Sequence, residues 1–386
     1  MADFLDISQL SLNKTGEELC GDQVKILRTD NKTRVVLSDG LGSGVKANIL
    51  ATLTSQIIIT MLKENVPLED VIGTVIGTLP VCQMRNIAYA TFTIIEVDHS
   101  NYHFRVINFD NPPFFYLKGN RVVKLEKRTE HILDKEITFC EGNLERGDFV
   151  AAASDGILYA GLGVTFNFGW GWDNIADHMA TVLSGRVLTA QTVVDSVVSK
   201  TQALYAGAPG DDATLVGLYL RQRKAAMVLT GPPLNREDDP TCARRLVEYE
   251  GRRIICGGTT ANIVGRFLGK PVETLIDTMR EEIPPIGRLG GVHLVTEGIL
   301  TMSRAIEYIR TSDGDDAKLP RDGNGAVLLA SELLFADAIH FLVGQQVNPF
   351  YQNPLLPTHI SIRKNLVEQM AALLRELNKD VTVEYC

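Results

Sequence analysis

Residues 34–47 read RVVLSDGLGSGVKA, and this stretch decides the fold of the first half of the chain. The β-branched run RVVL is typical of a buried strand, and Ser38-Asp39-Gly40 ends that strand in a sharp turn. A helix is predicted next, because apolar residues recur from Val45 to Leu62 with the i, i+4, i+8 spacing of a core-facing stripe.

The pattern around this stretch predicts a layered α+β domain. Strand-like runs follow at 89–97, 102–108, 114–117, 122–125 and 148–153, and short connections between consecutive strands indicate an antiparallel sheet. Helical patterns at 173–183 and 192–204 precede a last strand at 213–220. This order suits sheets covered by helices. The basic run RQRK at 221–224 is the predicted end of the domain.

Beyond residue 224 strands and helices alternate, as they do in an α/β domain. A strand at 225–231 is followed by a helix from about Pro240 to Tyr249, the strand RRIIC at 252–256, and a Gly-Gly-Thr-Thr turn that opens another helix. Further helices are predicted near 300–309, 331–342 and 364–377, with a final strand VTVEY. The 386 residues are too many for one ordinary core. Two domains are therefore predicted, 1–222 and a smaller one at 223–386.

Composition excludes several classes of protein. The net charge of −9 provides no positive field for nucleic acid or an anionic membrane, so neither is a predicted partner. The six cysteines form no C-x-x-C pair, which argues against a zinc knuckle, a redox dithiol or a disulfide-stapled fold and favours a reducing compartment. No export signal or membrane span is visible, and a cytoplasmic location is predicted.

Four acidic turns each adjoin a predicted strand. Each of them alone is first of all a turn signal, since Asp-Gly is a common turn dipeptide. As an ordered set they indicate more, because carboxylates at strand ends are the ligands that Mg²⁺ and Mn²⁺ prefer. Brought together, the turns could hold two metal ions. They are Cys20-Gly21-Asp22, Ser38–Gly44, Ser154-Asp155-Gly156 and Gly210-Asp211-Asp212.

These turns resemble those of the PPM, or type 2C-like, protein phosphatases, and in particular the bacterial sporulation stage II E branch. The resemblance covers about Gly16 to Arg221 and implies a β-sandwich flanked by helices. It is carried by five ordered pieces: GD at 21–22, SDGLGSGVKA at 38–47, the stretch from Asn108 to Leu117, ERGDFVAAASDGI at 145–157, and GDDATLV at 210–216.

The resemblance implies a site of two Mn²⁺ or Mg²⁺ ions. In it Asp39 would bridge both ions, the Gly40 carbonyl would contact one, and Asp155 and Asp211 would complete the other. Asp22 would bind directly or through water. Asp39, Asp155 and Asp211 are the predicted catalytic residues. Asp212 is expected to orient waters or to brace Asp211.

The implied reaction is hydrolysis of phosphoserine or phosphothreonine by metal-activated water. The implied substrate is a phosphorylated regulatory protein of the STAS-domain, anti-anti-sigma-like type. A catalytically idle PPM fold that binds a partner is the alternative, although the retention of all three predicted catalytic aspartates favours the enzyme. One departure concerns substrate contacts, because Phe109-Asp110-Asn111 stands where the branch commonly has Ala-Gly-His.

Two further segments have open interpretations. Gly257-Gly258-Thr259-Thr260 opens a helix, where free N–H groups favour an anion, although the simpler interpretation is favoured, in which Thr259 or Thr260 caps the helix and the glycines make the turn. A small-molecule ligand that lets the second domain regulate the first is therefore predicted. An independent enzyme there is disfavoured, because no set of nucleophile, base and orienting residue is visible. The stretch FGWGW at 168–172 is predicted to be a loop anchor, with a substrate-facing flap as the alternative.

Overall fold

The computed structural model describes residues 3–78, 81–82, 87–88, 90–133, 135–185, 189–346 and 362–386. For residues 81, 82, 87 and 88 the structure describes the backbone and not the side chains. The described chain forms two compact units, Asp3–Gln222 and Arg223–Cys386. They are called the N-terminal unit and the C-terminal unit below.

The N-terminal unit is an antiparallel β-sandwich flanked by helices, so its fold is α+β as predicted. Its sheets have the strand orders β1-β13-β12-β8-β9 and β10-β11-β7-β6-β3-β2, and β4 pairs with β5. The strands are β1 (Asp3–Leu12), β2 (Asp22–Arg28), β3 (Lys32–Gly40), β4 (Val81–Cys82), β5 (Ile87–Ala88), β6 (Ala90–Asp98), β7 (His103–Phe109), β8 (Phe115–Lys118), β9 (Arg121–Val122), β10 (Arg128–Ile132), β11 (Lys135–Asn143), β12 (Phe149–Ala153) and β13 (Ala213–Gln222). The helices are α1 (Gly44–Lys63), α2 (Leu68–Thr78), α3 (Asp155–Leu158), α4 (Trp172–Leu183) and α5 (Ala190–Leu204).

Three apolar layers hold this unit together. Between the sheets, Val35 and Leu37 of β3 pack with residues of β12 and β13 such as Val150 and Val216. On the outer side of β3, Val36 packs with α1 and α2, while α4 and α5 cover the other sheet. Because β3 is buried on both faces, its sequence RVVL is continuously apolar rather than alternating.

Several features of this unit differ from the sequence prediction, and β2, α2, β10 and β11 were not predicted. The strand expected at 122–125 is only Arg121–Val122, because the chain leaves the sheet edge after two residue pairs with β8. The edge strand β1 was not predicted. It pairs with β13 along its whole length, from Asp3 opposite Gln222 to Leu12 opposite Ala213. Edge strands with one exposed side have a mixed sequence, and their pairing is set by a distant part of the chain.

Helix α1 is, within the described residues, the one that is long and apolar enough to cross a membrane by length and composition. Its buried residues include Ala47, Ala51 and Ile58. Ile58 belongs to the cluster that contains Val36 of β3. The stripe predicted to face the core is wrong in its first half, because Val45, Ile49 and Leu53 are exposed and the small residues beside them are buried against the sheet.

Glu96 of β6 is the centre of a partly buried charge network. Its carboxylate accepts hydrogen bonds from Arg34 Nε at 2.7 Å, Lys32 Nζ at 2.9 Å and Arg105 Nη2 at 3.2 Å. Burial alone would raise the pKa of Glu96, but these three cations lower it to about 2. The network therefore stabilises the folded state when Glu96 is ionised.

We expect Glu96→Gln to lower the free energy of unfolding of the N-terminal unit by about 1–2 kcal/mol at pH 7, after allowance for solvent screening. A carboxyl whose pKa is lower in the folded state contributes its full stabilisation at a pH above its unfolded pKa. The difference in the free energy of unfolding between Glu96→Gln and wild type should therefore shrink as the pH falls from about 4.5 toward 2. Urea unfolding followed by tryptophan fluorescence measures it, since both tryptophans, Trp170 and Trp172, lie in this unit. Glu130→Gln, which removes the exposed partner of Arg128, is the control and should change little. An equal loss at pH 3 and pH 7 would contradict the electrostatic origin.

The C-terminal unit is a doubly wound α/β domain. Its sheet order is β16-β17-β18-β15-β14-β19-β20, with β18, β15, β14, β19 and β20 parallel. The strands are β14 (Ala225–Thr230), β15 (Arg252–Cys256), β16 (Glu273–Leu275), β17 (Ile286–Arg288), β18 (Leu294–Thr296), β19 (Ala338–Val343) and β20 (Asp380–Tyr385). The helices are α6 (Asp239–Val247), α7 (Gly258–Leu268), α8 (Ile299–Thr311), α9 (Gly325–Phe335) and α10 (Ile362–Glu376). Helices α8, α9 and α10 cover one face, and α6 and α7 cover the other.

The prediction of a helix at 331–342 is wrong for residues 336–342. Helix α9 ends at Phe335, Ala336 is extended (φ −77°, ψ 141°), and Ala338–Val343 is a strand between two parallel neighbours. A short apolar run has the same appearance in a buried helix and in a buried parallel strand, so periodicity could not separate them.

Candidate metal centre

The strands place Asp22 and Asp39 side by side at one end of the sandwich. Asp22 begins β2, Asp39 is near the end of β3, and the two residues are direct cross-strand partners. The backbone N–H of Gly40 also donates to the carbonyl oxygen of Gly21 at 3.2 Å. Two of the four acidic turns are therefore held together by the antiparallel ladder.

The other two acidic turns meet in the opposite sheet. Asp155 follows the end of β12, and Asp212 precedes the start of β13, its antiparallel neighbour. The Ser154 N–H donates to the carbonyl oxygen of Thr214 at 2.9 Å, and the Thr214 N–H donates to Ser154 Oγ at 2.8 Å. A Cβ on Gly156 would lie only 2.0 Å from the carbonyl oxygen of Asp212, so the two turns are in direct contact.

The two pairs of turns converge across the sandwich. A Cβ built on Gly21 would lie 2.8 Å from Asp212 Oδ2 and 2.9 Å from the Ala47 Cβ of α1. A Cβ on Gly40 would lie 2.1 Å from the carbonyl oxygen of Ala47. Glycine is therefore needed at Gly40 because α1 begins directly against the turn. The structure brings all four predicted acidic turns to one place.

The electrostatics of this acidic cluster are unfavourable without counter-charge. Burial is the main reason why the pKa values of Asp22, Asp39 and Asp155 are raised above their usual range. Repulsion among Asp22, Asp39, Asp155, Asp211 and Asp212 adds to the rise for Asp39. Hydroxyl hydrogen bonds from Ser154 and Thr214 oppose it at Asp22. Such a cluster is stabilised by positive charge placed between its members.

The oxygen atoms of the cluster fit a hard divalent cation. Asp22 Oδ2 and Asp212 Oδ2 are buried and make no hydrogen bond within the described residues, which leaves two acceptor atoms in need of a partner. Over the same residues, no group of three acidic, histidine or cysteine side chains already surrounds one point. Carboxylates, the Gly40 carbonyl and waters would therefore have to share the coordination, as is common for Mg²⁺.

Two charged residues near the cluster were not predicted. Lys14 follows β1, donates its backbone N–H to Asp212 Oδ1 at 3.0 Å, and places its Nζ 3.9 Å from Asp211 Oδ1. Glu17 accepts a hydrogen bond from Ser43 Oγ at 3.1 Å at the start of α1. Nothing in the local sequence indicates either contact, because both depend on loops that meet only in the folded unit.

Asn111 and the tryptophans have structural partners. Asn111 belongs to the segment Phe109-Asp110-Asn111, which differs from the usual family sequence. Its Nδ2 donates to Thr93 Oγ1 at 3.1 Å, and its Oδ1 accepts a hydrogen bond from Thr91 Oγ1. Asn111 therefore anchors its turn to β6. Trp170 is buried, and Trp172 stacks on Phe115 with ring centroids 5.1 Å apart. The tryptophans are loop anchors, whereas the neighbouring Phe168 is exposed.

The sequence of this unit matches a known family. The family model of stage II sporulation protein E matches residues 29–221, half of the chain. The chain belongs to the stage II sporulation protein E family. The match includes the turns of Asp39, Asp155 and Asp211, and the relatives of this family have the PPM, or PP2C, phosphatase fold. No curated protein sequence matches the chain significantly.

Three solved structures illustrate what the N-terminal unit is similar to. The PP2C domain of stage II sporulation protein E from Bacillus subtilis, with a fragment of its regulatory domain, is 19% identical over 57% of this chain and 63% of that chain, with a TM-score of 0.49. The RsbU and RsbW domains of a Mycobacterium tuberculosis protein are 18% identical over 63% and 67%, with a TM-score of 0.47. RsbX in complex with magnesium is 18% identical over 56% and 95%, with a TM-score of 0.41. The chain thus spans less than two thirds of the Bacillus structure, and the family assignment rests on the sequence match.

Proposed function

We propose that the N-terminal unit is a metal-dependent protein serine/threonine phosphatase. The observation that carries this proposal is the convergence of four acidic turns in a stage II sporulation protein E domain, where two buried carboxylate oxygens have no hydrogen-bond partner in the described part of the chain. Asp39 and the Gly40 carbonyl are proposed to hold the ions from one sheet. Asp155 and Asp211 would hold one of them from the other sheet, and Asp22 would bind directly or through water.

The chemistry follows from this donor set. Two Mn²⁺ or Mg²⁺ ions held there would supply Lewis-acid activation of water near neutral pH. The aspartates would hold the ions and position the attacking water. Asp212 would brace Asp211, since its Oδ1 accepts from the Lys14 N–H and its own N–H donates to Asp211 Oδ1. The Lys14 ammonium, beside Asp211, is placed to attract the dianionic phosphate of the substrate.

We further propose that the substrate is a phosphorylated regulatory protein of the STAS-domain type and that the reaction occurs in the cytoplasm. The proposed substrate rests on the family resemblance. The proposed location rests on the composition, since the six cysteines form no C-x-x-C pair. An idle PPM fold that binds a partner is the second candidate. It is favoured by one observation, that no three ligating side chains of the described residues already converge on a point.

The two candidates differ in a direct assay. We expect the full chain to hydrolyse p-nitrophenyl phosphate and a phosphoserine peptide with Mn²⁺ or Mg²⁺ and to lose essentially all turnover in excess EDTA, with recovery when metal is restored. Metal binding is measured in parallel by calorimetry. Metal binding without hydrolysis of either substrate would support the idle fold, and activity that is unchanged by EDTA would contradict both the site and the mechanism.

A further inference from the structure

The C-terminal unit contains a groove at the carboxyl edge of its parallel sheet. The groove has a volume of about 1070 Å³, the size range of small-molecule sites. Pro232 follows β14, Thr259 follows β15, and Gln346 follows β19, and all three line it. Strand β14 lies between β15 and β19, where the order of the sheet reverses. Ligands of doubly wound domains bind at this kind of position.

Thr259, in the first turn of helix α7, lines the groove, and the rest of this uncapped helix N-terminus adjoins it in the chain. Helix α7 is preceded by Gly257, and no side chain caps it. The N–H groups of Gly258, Thr259 and Thr260 have no acceptor within the helix, as in any first helical turn. Gly257 has φ +136°, a conformation that L side chains rarely adopt, and this leaves the turn open. These N–H groups and the helix dipole favour an anion.

A buried hydroxyl gives an independent indication of a ligand. Thr260 is 2% exposed, and its Oγ1 makes no hydrogen bond within the described residues. The Oγ1 points toward the turn, since it lies 3.2 Å from where a Cβ on Gly257 would stand. An unpaired buried hydroxyl costs free energy, so an acceptor bound at the turn would offset that cost.

The charge and the walls of the groove indicate the class of ligand. Three cations, Arg236, Arg266 and Lys270, line it against one acid, Asp239, which lies 3.6 Å from Arg266. Ile263, Phe267 and Val272 add an apolar wall. A phosphate suits the cationic part and the helix N-terminus, and a planar ring system suits the apolar wall.

One acidic group opposes an anion at the turn. A Cβ on Gly258 would lie 3.0 Å from Glu297 Oε1, so this exposed carboxylate reaches the start of α7. Its negative charge must weaken the binding of a phosphate there. Removal of this charge is therefore expected to strengthen binding, whereas the other substitutions at the site are expected to weaken it.

We propose that this groove binds a nucleotide, with a phosphate on the α7 N-terminus and Thr260 and with the base against the apolar wall. The inference extends the interpretation of Gly257–Thr260 as an anion site and does not depend on the phosphatase reaction. Binding is measured by calorimetry on the full chain in EDTA, which keeps metal ions out of the acidic cluster of the N-terminal unit. The probes are AMP, ADP, ATP, ribose 5-phosphate and inorganic phosphate.

We expect at least one of the nucleotides to bind about tenfold or more tightly than inorganic phosphate. Thr260→Val, which keeps the shape of the side chain, should weaken that binding about fivefold, and Arg236→Gln should weaken it and reduce its salt dependence. Glu297→Gln should tighten it severalfold. Arg310→Gln, an exposed arginine at the end of α8 that does not line the groove, is the matched control and should have no effect.

Several results would overturn the proposal. One is the absence of nucleotide binding at millimolar concentration. Another is nucleotide binding that is unchanged in both Thr260→Val and Arg236→Gln, which would place the ligand elsewhere. Weaker binding in Glu297→Gln would show that this carboxylate contacts the ligand favourably and that the phosphate lies elsewhere. Ribose 5-phosphate binding as tightly as the nucleotides would exclude a role for the base. Because Glu297 is exposed, its variant remains informative even if Thr260→Val unfolds.

Discussion

Replacement of Asp39 by asparagine is expected to lower the phosphatase turnover of the full chain by at least about a thousandfold. Asp39 is the residue proposed to bridge both ions, and it lies opposite Asp22 in the β2–β3 ladder, at the centre of the acidic cluster. The amide cannot neutralise two dications, so the activation of water is lost. Turnover with saturating Mn²⁺ measures the effect.

The same variant should remain folded. Burial and four neighbouring carboxylates raise the pKa of Asp39, so removing its charge relieves repulsion in the metal-free protein. Asp177→Asn, an exposed position on α4, is the matched control and should keep wild-type turnover. Asp39→Asn with activity within tenfold of wild type, and with normal metal binding by calorimetry, would remove Asp39 from its proposed role.

Gly40→Ala is expected to cost about 3 kcal/mol of stability in the N-terminal unit and most of its activity. The added Cβ would lie 2.1 Å from the carbonyl oxygen of Ala47, a backbone atom of α1 that cannot rotate away. The turn that carries Asp39 would have to move away from α1. Urea unfolding, followed by tryptophan fluorescence, and the turnover number measure the two effects.

Gly73→Ala provides a control of opposite sign. Gly73 lies inside α2, and no atom lies within 4 Å of the position of its added Cβ. Alanine in a helix interior is more favourable than glycine by about 0.5–1 kcal/mol, so this variant should be slightly stabilised and fully active. If Gly40→Ala were as stable and as active as Gly73→Ala, the close approach of α1 to the metal turn would be wrong.

The local pattern of the sequence was enough to predict the elements that contain the site. Continuous burial made β3 and β12 apolar runs, and Asp-Gly turns followed both strands. The period of α1 predicted the helix itself, but the first half of its apolar stripe is exposed, so the period did not identify the whole buried face. These signals are local, because a strand or a helix reflects the spacing of its own apolar residues. The ordered acidic turns then indicated the family, which the match over 29–221 shows. Their assigned roles as metal ligands remain predictions.

Other features depended on contacts between distant parts of the chain. The pairing of β1 with β13 joins residues about 200 positions apart, and the contacts of Lys14 with Asp211 and Asp212 arise only from that pairing. The strand β19 resembled the end of a helix until its two parallel neighbours fixed it as a strand.

The groove of the C-terminal unit shows the same division. The sequence indicated the Gly257–Thr260 turn, but Thr259 lines one groove with Arg236, Arg266 and Lys270 only because α6 and α7 pack on the same face of the sheet. Sequence spacing thus determined which elements form and which residues end them. The tertiary structure decided which ends meet, because long-range pairing and packing depend on the surfaces of both partners.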